Sequence, residues 1–243
     1  MRWGERDGVR WLEADLPGAR AAFSTRVGGV SEPPFASLNL GILTGDKRVP
    51  ENRRRLATAL RLDPRRVLIG HQVHDARVMR HDEPMVPPAF ADGTPAPYAD
   101  GQATATPVLA PLVFVADCLP VALAGGGGVA MIHCGWRGLA AGIVSRGVEA
   151  VGATAAAIGP GIGPCCYEVG PDVGGRFEAL GPDVYRGGML DLREAARRLL
   201  AEAGVESVEV AEECTSCEAG LFFSHRRDDG VTGRQAGVAW IEH

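Results

Sequence analysis

The most apolar region of the chain is PVLAPLVFVADCLPVALAGGGGVAMIH, which spans residues 107–133. It contains three apolar, β-compatible runs bounded by turn residues, at 108–116, 120–123 and 129–133. Asp117, two prolines and four glycines interrupt the stretch, so it is too broken to cross a bilayer. We therefore predict three strands here, separated by turns.

The rest of the chain mixes strand and helix patterns. Further strands are predicted at 19–25, 67–70, 76–79, 205–210 and 236–241. Helices are predicted at 50–60, 139–151 and 191–203. At the last helix, Asp191 is expected to cap the first turn and Glu194 to reach back to it. The proline-rich segment 81–98 is interpreted as a surface loop. Because strands outnumber helices and several are hairpin-linked, the predicted class is α+β.

The composition is typical of a globular protein. The chain has 243 residues, of which 46% are hydrophobic and 23% charged, which allows a sizeable core. A net charge of −5 argues against a nucleic-acid partner, which would need a basic face. The first residues are charged and lack the apolar stretch of a secretory signal. We therefore expect a cytoplasmic protein, without a membrane span, whose six cysteines are reduced.

Candidate metal ligands stand at the ends of predicted strands, where side chains from distant segments converge. They are His74, Cys118 and His133. Two imidazoles and a thiolate suit zinc and leave a fourth position open, where a water molecule is activated near neutral pH. The same ligand types also suit copper. An isolated cysteine or histidine is more often a core residue, so ligand types alone favour a structural interpretation.

Three further motifs have interpretations of their own. The pair Cys214 and Cys217 is interpreted as a structural turn with modest redox potential, because no second ligand pair for zinc is evident. For the adjacent Cys165 and Cys166, burial is the expected role. The segment Gly135-Trp136-Arg137-Gly138 opens a helix after a strand, where free amides and Arg137 would hold an anion.

These motifs, read together, resemble the family of YfiH-like proteins, also called the laccase-domain or multicopper polyphenol oxidase family. The resemblance runs along most of the chain in the family's order. It rests on Ser24 to Ser31, Ser37 to Gly41, Thr44 to Asp46, Glu51 to Arg53, Gln72 to His74, Ala116 to Cys118, His133 to Gly138, Ile158 to Gly170 and Phe222 to Asp228.

The resemblance implies a single domain, residues 1–243, with a four-layer α/β/β/α fold. It also implies zinc bound by the histidine of the QVH motif, the cysteine of ADC and the histidine before GWRG, which here are His74, Cys118 and His133. The implied activity is phosphorolysis of adenosine, inosine and methylthioadenosine, with adenosine deamination as a companion reaction. Purine nucleoside and phosphate are thus the expected partners.

Other site residues follow from the same hypothesis. Substrate-binding residues are predicted to be Arg26, Asn39 and Arg137. The candidate proton carriers are Asp75, Asp100, Asp117 and Glu168. The chain departs from the family pattern at Asp75, where glycine is usual, and at Cys134, where alanine is usual. Asp75 would either repel an anionic substrate or act as an extra acid or base, and either effect would change the substrate range.

Three alternatives to the nucleoside enzyme remain. A copper-dependent polyphenol oxidase is suggested by the older family name, but six histidines are few for a four-copper enzyme. A thiol hydrolase acting on cell-wall precursors would use Cys118 as nucleophile and His133 as base. A non-enzymatic binding module has no evident need of an open three-ligand metal site.

Overall fold

The computed structural model describes residues 1–242, except for the side chain of Ile42. His243, the last residue of the predicted domain, lies outside the described residues. The strands are β1 (Arg2–Arg6), β2 (Val9–Leu16), β3 (Ala19–Ser24), β4 (Val67–Leu68), β5 (Val78–Arg80), β6 (Gly101–Thr104), β7 (Ala110–Val115), β8 (Leu119–Gly125), β9 (Gly128–Cys134), β10 (Ala153–Ile158), β11 (Tyr185–Arg186), β12 (Met189–Leu190), β13 (Ser207–Val210) and β14 (Gln235–Ile241). The α-helices are α1 (Val49–Leu60), α2 (Ala89–Asp92), α3 (Trp136–Ala140), α4 (Ile143–Val151), α5 (Pro171–Gly174) and α6 (Leu192–Glu202).

Twelve of these strands form two six-stranded mixed sheets. The first sheet has the order β1-β2-β3-β14-β7-β4, and the second has the order β13-β10-β8-β9-β6-β5. Neighbours are antiparallel except for the pairs β4–β7, β5–β6 and β10–β13. The stretch at 107–133 therefore supplies β7 to the first sheet, and β8 and most of β9 to the second.

Three buried apolar clusters show how the layers are stacked. One joins the first sheet to α1 and α2 through residues such as Trp11, Leu56 and Phe90. A second lies between the sheets and is rich in alanine, around Phe23 and Met131. The third packs the second sheet against α4 and α6. The order is α/β/β/α, so the predicted four-layer α+β fold is confirmed.

Side-chain alternation along β8 explains why the second sheet is covered on both faces. Leu119, Val121 and Leu123 belong to the cluster on the helix side, whereas Ala122 and Ala124 belong to the cluster between the sheets. Successive residues of a strand point to opposite faces, so this single strand contributes to both cores.

Two helix predictions need correction. The helix predicted at 139–151 is two helices, α3 and α4, because Gly142 between them adopts a positive φ of 87° that a continuous α-helix cannot contain. At α6, Asp191 caps as predicted by accepting hydrogen bonds from the N–H groups of Arg193 and Glu194. Glu194 does not reach back, since its carboxylate pairs with Arg197 and Arg198 one turn further on.

The loop and strand predictions are also refined. The loop predicted at 81–98 contains the short helix α2. Five predicted strands are shorter or shifted, and appear as β3, β4, β5, β7 and β13. None of the helices among the described residues is long and apolar enough to span a membrane.

Candidate metal centre

The structure brings His74, Cys118 and His133 together. Their possible ligand atoms all lie within 4.8 Å of one another, although the residues come from three separate segments. His74 follows β4, Cys118 lies between β7 and β8, and His133 is near the end of β9. His133 is buried, Cys118 is half-buried and His74 is exposed, so the cluster opens to solvent on one side.

Backbone geometry makes room for the thiol. Pro120 pairs with His133 in the β8–β9 ladder, which places Cys118 just beyond the paired region. Gly135 lies against it: a Cβ there would stand 2.8 Å from Cys118 Sγ and 3.2 Å from Cδ2 of His74. Only glycine lets the chain pass this close to two of the three ligands.

Asp100 organises two of the three ligands. It is completely buried, and its carboxylate accepts backbone N–H bonds from Val73, His74 and Asp75 at 2.8, 2.9 and 3.2 Å. The same carboxylate lies 2.7 Å from Nδ1 of His133. Burial alone would raise the pKa of Asp100, but these hydrogen bonds lower it, so the side chain is an anion. Nδ1 of His133 therefore donates, and Nε2 is left free as a ligand atom.

The electrostatics of the cluster suit a cation. Burial would raise the pKa of Cys118, but His133 and His74 more than offset it and lower the pKa to about 6. Burial would lower the pKa of His133, yet the charges of Cys118 and Asp100 raise it to about 9. A thiolate and two imidazoles, one of them oriented by a carboxylate, are the donors that a zinc site requires. The residues therefore fit such a metal.

The three predicted substrate residues lie in different surroundings. Arg137 is exposed, and its guanidinium stacks 4.3 Å from the ring centroid of Trp136. Arg26 is half-buried, donates to the carbonyl oxygens of Ala36 and Ala219, and stacks on an aromatic ring.

Asn39, by contrast, is completely buried. Its amide nitrogen donates to Thr44 and Asp46, and its oxygen accepts from the N–H groups of Gly41 and Arg234. Both amide hydrogens and both lone pairs of the oxygen are thus engaged within the protein.

The four candidate proton carriers fall into two groups. Asp100 and Asp117 are buried, and Asp117 accepts hydrogen bonds from the hydroxyl of Thr215 and the N–H of Arg226 at 2.6 and 2.7 Å. Asp75 is half-buried, and Glu168 is exposed. Both side chains are therefore accessible to solvent, and Oδ1 of Asp75 accepts a hydrogen bond from the N–H of Arg77.

Sequence reasoning assigned no role to three residues near the centre. Tyr167 is half-buried, and burial together with the charge of Cys118 raises its pKa to about 12. Arg226 stacks 5.0 Å from the Tyr167 ring centroid. Burial lowers the pKa of Arg234, against the charges of Cys118 and Asp117. Tyr167 and Arg226 stand inside the family-like motifs, which is a signal that could have found them, whereas Arg234 stands outside those motifs.

The fold and the centre together define a four-layer α+β protein in which two histidines and one cysteine at the strand ends could hold a metal ion. A family model described as multi-copper polyphenol oxidoreductase laccase matches residues 20–242. The chain belongs to this family, as its sequence motifs predict.

Two relatives carry the name purine nucleoside phosphorylase. YlmD of Geobacillus stearothermophilus is 41% identical over 254 residues, covering 92% of this chain and 92% of its own length. YfiH of Escherichia coli is 38% identical over 243 residues, covering 92% and 94%. The crystal structure of a Bacillus licheniformis hypothetical protein YfiH superposes with a TM-score of 0.89 at 33% identity, over 99% of both chains. That of the Geobacillus YlmD gives a TM-score of 0.87 at 37% identity, over 99% and 98%.

Proposed function

We propose that this chain is a zinc-dependent purine nucleoside phosphorylase that acts on adenosine, inosine and methylthioadenosine, with adenosine deamination as a side activity. The observation that carries the proposal is the convergence of His74, Cys118 and His133 within 4.8 Å. It occurs in a chain that is collinear with relatives named purine nucleoside phosphorylase over 92% of its length.

In this proposal His74, Cys118 and His133 hold the metal. Bound zinc supplies a Lewis acid and lowers the pKa of water to about 7. Asp100 keeps His133 in the tautomer that presents Nε2. Copper is the alternative metal for the same ligands, and in that case phenol oxidation by the copper-loaded protein is the activity to assay.

Phosphorolysis requires an anion to be held while the bond from C1′ of the ribose to the purine breaks and a bond from C1′ to a phosphate oxygen forms. Arg137 is suited to hold the phosphate, because it is exposed and its stacking on Trp136 limits its freedom. Arg26 retains N–H groups beyond the two used on backbone carbonyls. Asn39 supports the site by fixing the backbone of Arg234, since its amide is fully engaged.

The departing purine must gain a proton. Asp75 is the carboxyl group we assign to this step, because it adjoins the ligand His74 and is accessible. Tyr167 provides a second donor: with a pKa of about 12, its hydroxyl keeps its proton at neutral pH. These assignments follow by analogy with glycosidic cleavage, in which a general acid positioned beside the leaving group protonates it.

The test is incubation of zinc-loaded protein with adenosine, with and without phosphate, and separation of the products by chromatography. Adenine that appears only with phosphate supports the phosphorylase, and inosine adds the deaminase. Cys118→Ala should abolish both zinc binding at the three-ligand centre and turnover. Cys134→Ala is the matched control, because this neighbouring thiol packs in the helix-side core. Unchanged adenosine with fully loaded protein would contradict the proposal.

A second candidate is the thiol hydrolase that acts on cell-wall precursors. The lowered pKa of Cys118 beside His133 favours it, since a thiolate–imidazolium pair is a nucleophile in the absence of metal. A zinc-bound thiolate is a poor nucleophile, so the two functions exclude each other. Alkylation of Cys118 by iodoacetamide in zinc-loaded protein would favour the hydrolase, and protection of Cys118 would favour the phosphorylase.

A further inference from the structure

A second group of potential ligands lies on two loops of the second sheet. Cys165 and Cys166 follow β10, whereas Cys214 and Cys217 follow β13. The four Sγ atoms all lie within 4.8 Å of one another. β10 and β13 are parallel neighbours, so the loops that leave their carboxyl ends emerge at the same edge of the sheet. The two cysteine pairs therefore meet at this edge, although they are far apart in the sequence.

This geometry corrects two sequence interpretations. Cys165 is exposed and Cys166 half-buried, so the prediction of burial is wrong for Cys165. The pair Cys214 and Cys217 is not an isolated turn, because a second ligand pair is present beside it. Both interpretations fail because the contact joins residues about fifty positions apart in the chain.

The distances suit one tetrahedral ion. Sγ of Cys217 lies 3.6 Å from Sγ of Cys165 and 3.5 Å from Sγ of Cys166. Four sulfurs about 2.3 Å from a central zinc ion stand roughly 3.8 Å apart, by tetrahedral geometry. A disulfide would join only two of the four thiols, and Cys217 is equally close to two candidate partners.

The surroundings of the sulfurs also suit thiolate ligands. The backbone N–H of Gly163 donates to Sγ of Cys214 at 3.2 Å, a contact that favours a thiolate at this position. Four thiolates this close repel one another, so they would stand together only around a positive ion.

We propose that Cys165, Cys166, Cys214 and Cys217 bind one zinc ion in a closed, four-thiolate structural site. Four protein ligands leave no position for substrate, which distinguishes this site from the three-ligand centre. The ion would fix Thr215, which lies between two of the ligands, and Tyr167, which follows a third. The site therefore stabilises two loops that border the three-ligand centre.

The first measurement is the metal content of the full chain, purified under reducing conditions and reconstituted with excess Zn²⁺ before desalting. We expect about two zinc ions per wild-type chain, about one in Cys217→Ser and about one in Cys118→Ala. Cys134→Ala, which removes a buried thiol outside both groups, should keep both ions. Cys217→Ser should lose only the ion of the four-cysteine site. The three-ligand centre should keep its metal, because it does not use Cys217.

The second measurement does not need Cys217→Ser, and covers the case in which that variant fails to fold. Wild-type protein is stripped with a chelator and titrated with Co²⁺, and the thiolate-to-cobalt charge-transfer band is followed. Five thiolates should contribute at saturation, so Cys118→Ala should lose about one-fifth of the intensity. One metal ion per wild-type chain, bound iron in place of zinc, or a disulfide among the four thiols of the reduced and reconstituted protein would overturn the proposal.

Discussion

The hydroxyl of Thr215 donates a 2.6 Å hydrogen bond to the carboxylate of Asp117, the residue that precedes Cys118. Thr215 is completely buried and stands between Cys214 and Cys217. One side chain therefore joins the four-cysteine cluster to the loop that carries the thiolate of the three-ligand centre. Asp117 has a positive φ of 89°, so its loop depends on such contacts to keep its shape.

Replacing Thr215 tests this connection. Thr215→Val keeps the shape of the side chain but leaves a buried carboxylate oxygen without its donor, so the free energy of unfolding should fall by about 1–3 kcal/mol. Thr215→Ser retains the hydroxyl and is the matched control. Urea unfolding of the zinc-loaded proteins measures the difference. Equal stability of the valine variant and the wild type would show that this bond contributes nothing.

Asp100→Asn tests the carboxylate that orients His133. The amide keeps the shape but loses the charge, and its NH₂ group faces backbone N–H donors. We expect the zinc affinity of the three-ligand centre to fall by about 10–100-fold, as when other groups that orient metal-binding histidines are removed. Competition with a chromophoric chelator measures the affinity. Asp92→Asn, a change at an exposed aspartate, should leave it unaltered.

Gly135→Ala tests how closely the chain passes the metal ligands. The new methyl group would meet Cys118 Sγ at 2.8 Å, so either the thiol or the backbone must move. We expect loss of metal from the three-ligand centre and loss of turnover. Gly126→Ala is the control, because a Cβ there meets no atom within 4 Å. Normal metal content in Gly135→Ala would show that the centre tolerates the shift.

Arg137→Ala tests the proposed phosphate ligand. A charge-assisted hydrogen bond contributes roughly 1.5–3 kcal/mol, so the KM for phosphate should rise about tenfold or more. The KM for the nucleoside should change less, because the lost contact is to the other substrate. Initial rates at varied phosphate separate the two effects. Arg186→Ala, at another exposed arginine, should leave both constants unchanged.

Glu194→Gln tests a pH-dependent contribution to stability. Hydrogen bonds from Arg197 and Arg198 lower the pKa of Glu194 from 4.5 to about 2. Since the folded-state pKa is the lower one, the stabilisation is complete above pH 4.5 and is lost as pH falls towards 2. The stability difference between wild type and Glu194→Gln should therefore shrink over this range in urea unfolding. Glu202→Gln, an exposed change on the same helix, should show no such trend.

Local patterns predicted the parts of the fold that depend on nearest neighbours in the chain. The apolar runs around Val121 and Ile132 are strands because they are buried on both faces. The cap at Asp191 formed because it needs only the next few residues. Gly142 was missed as a helix break, since a glycine within a helical pattern gives no sign of the φ that it adopts.

The three-ligand cluster could be predicted because His74, Cys118 and His133 each end an apolar run or stand in a motif. Its supporting contacts could not be. The hydrogen bonds of Asp100 reach across 25 to 33 residues, and the contact of Thr215 with Asp117 spans 98. The meeting of the two cysteine pairs depends likewise on the parallel pairing of β10 and β13, which no local pattern encodes.

The position of β14 has a consequence for biosynthesis. This strand, residues 235–241, lies between β3 and β7 in the interior of the first sheet. All the metal-ligand candidates leave the ribosome before it does, yet the first sheet cannot join its two parts until it arrives. During translation β3 and β7 present unpaired edges to other chains. All the candidate metal ligands have therefore been synthesised while the two parts of the first sheet are still separate. In that interval the exposed strand edges make the nascent chain most prone to aggregation.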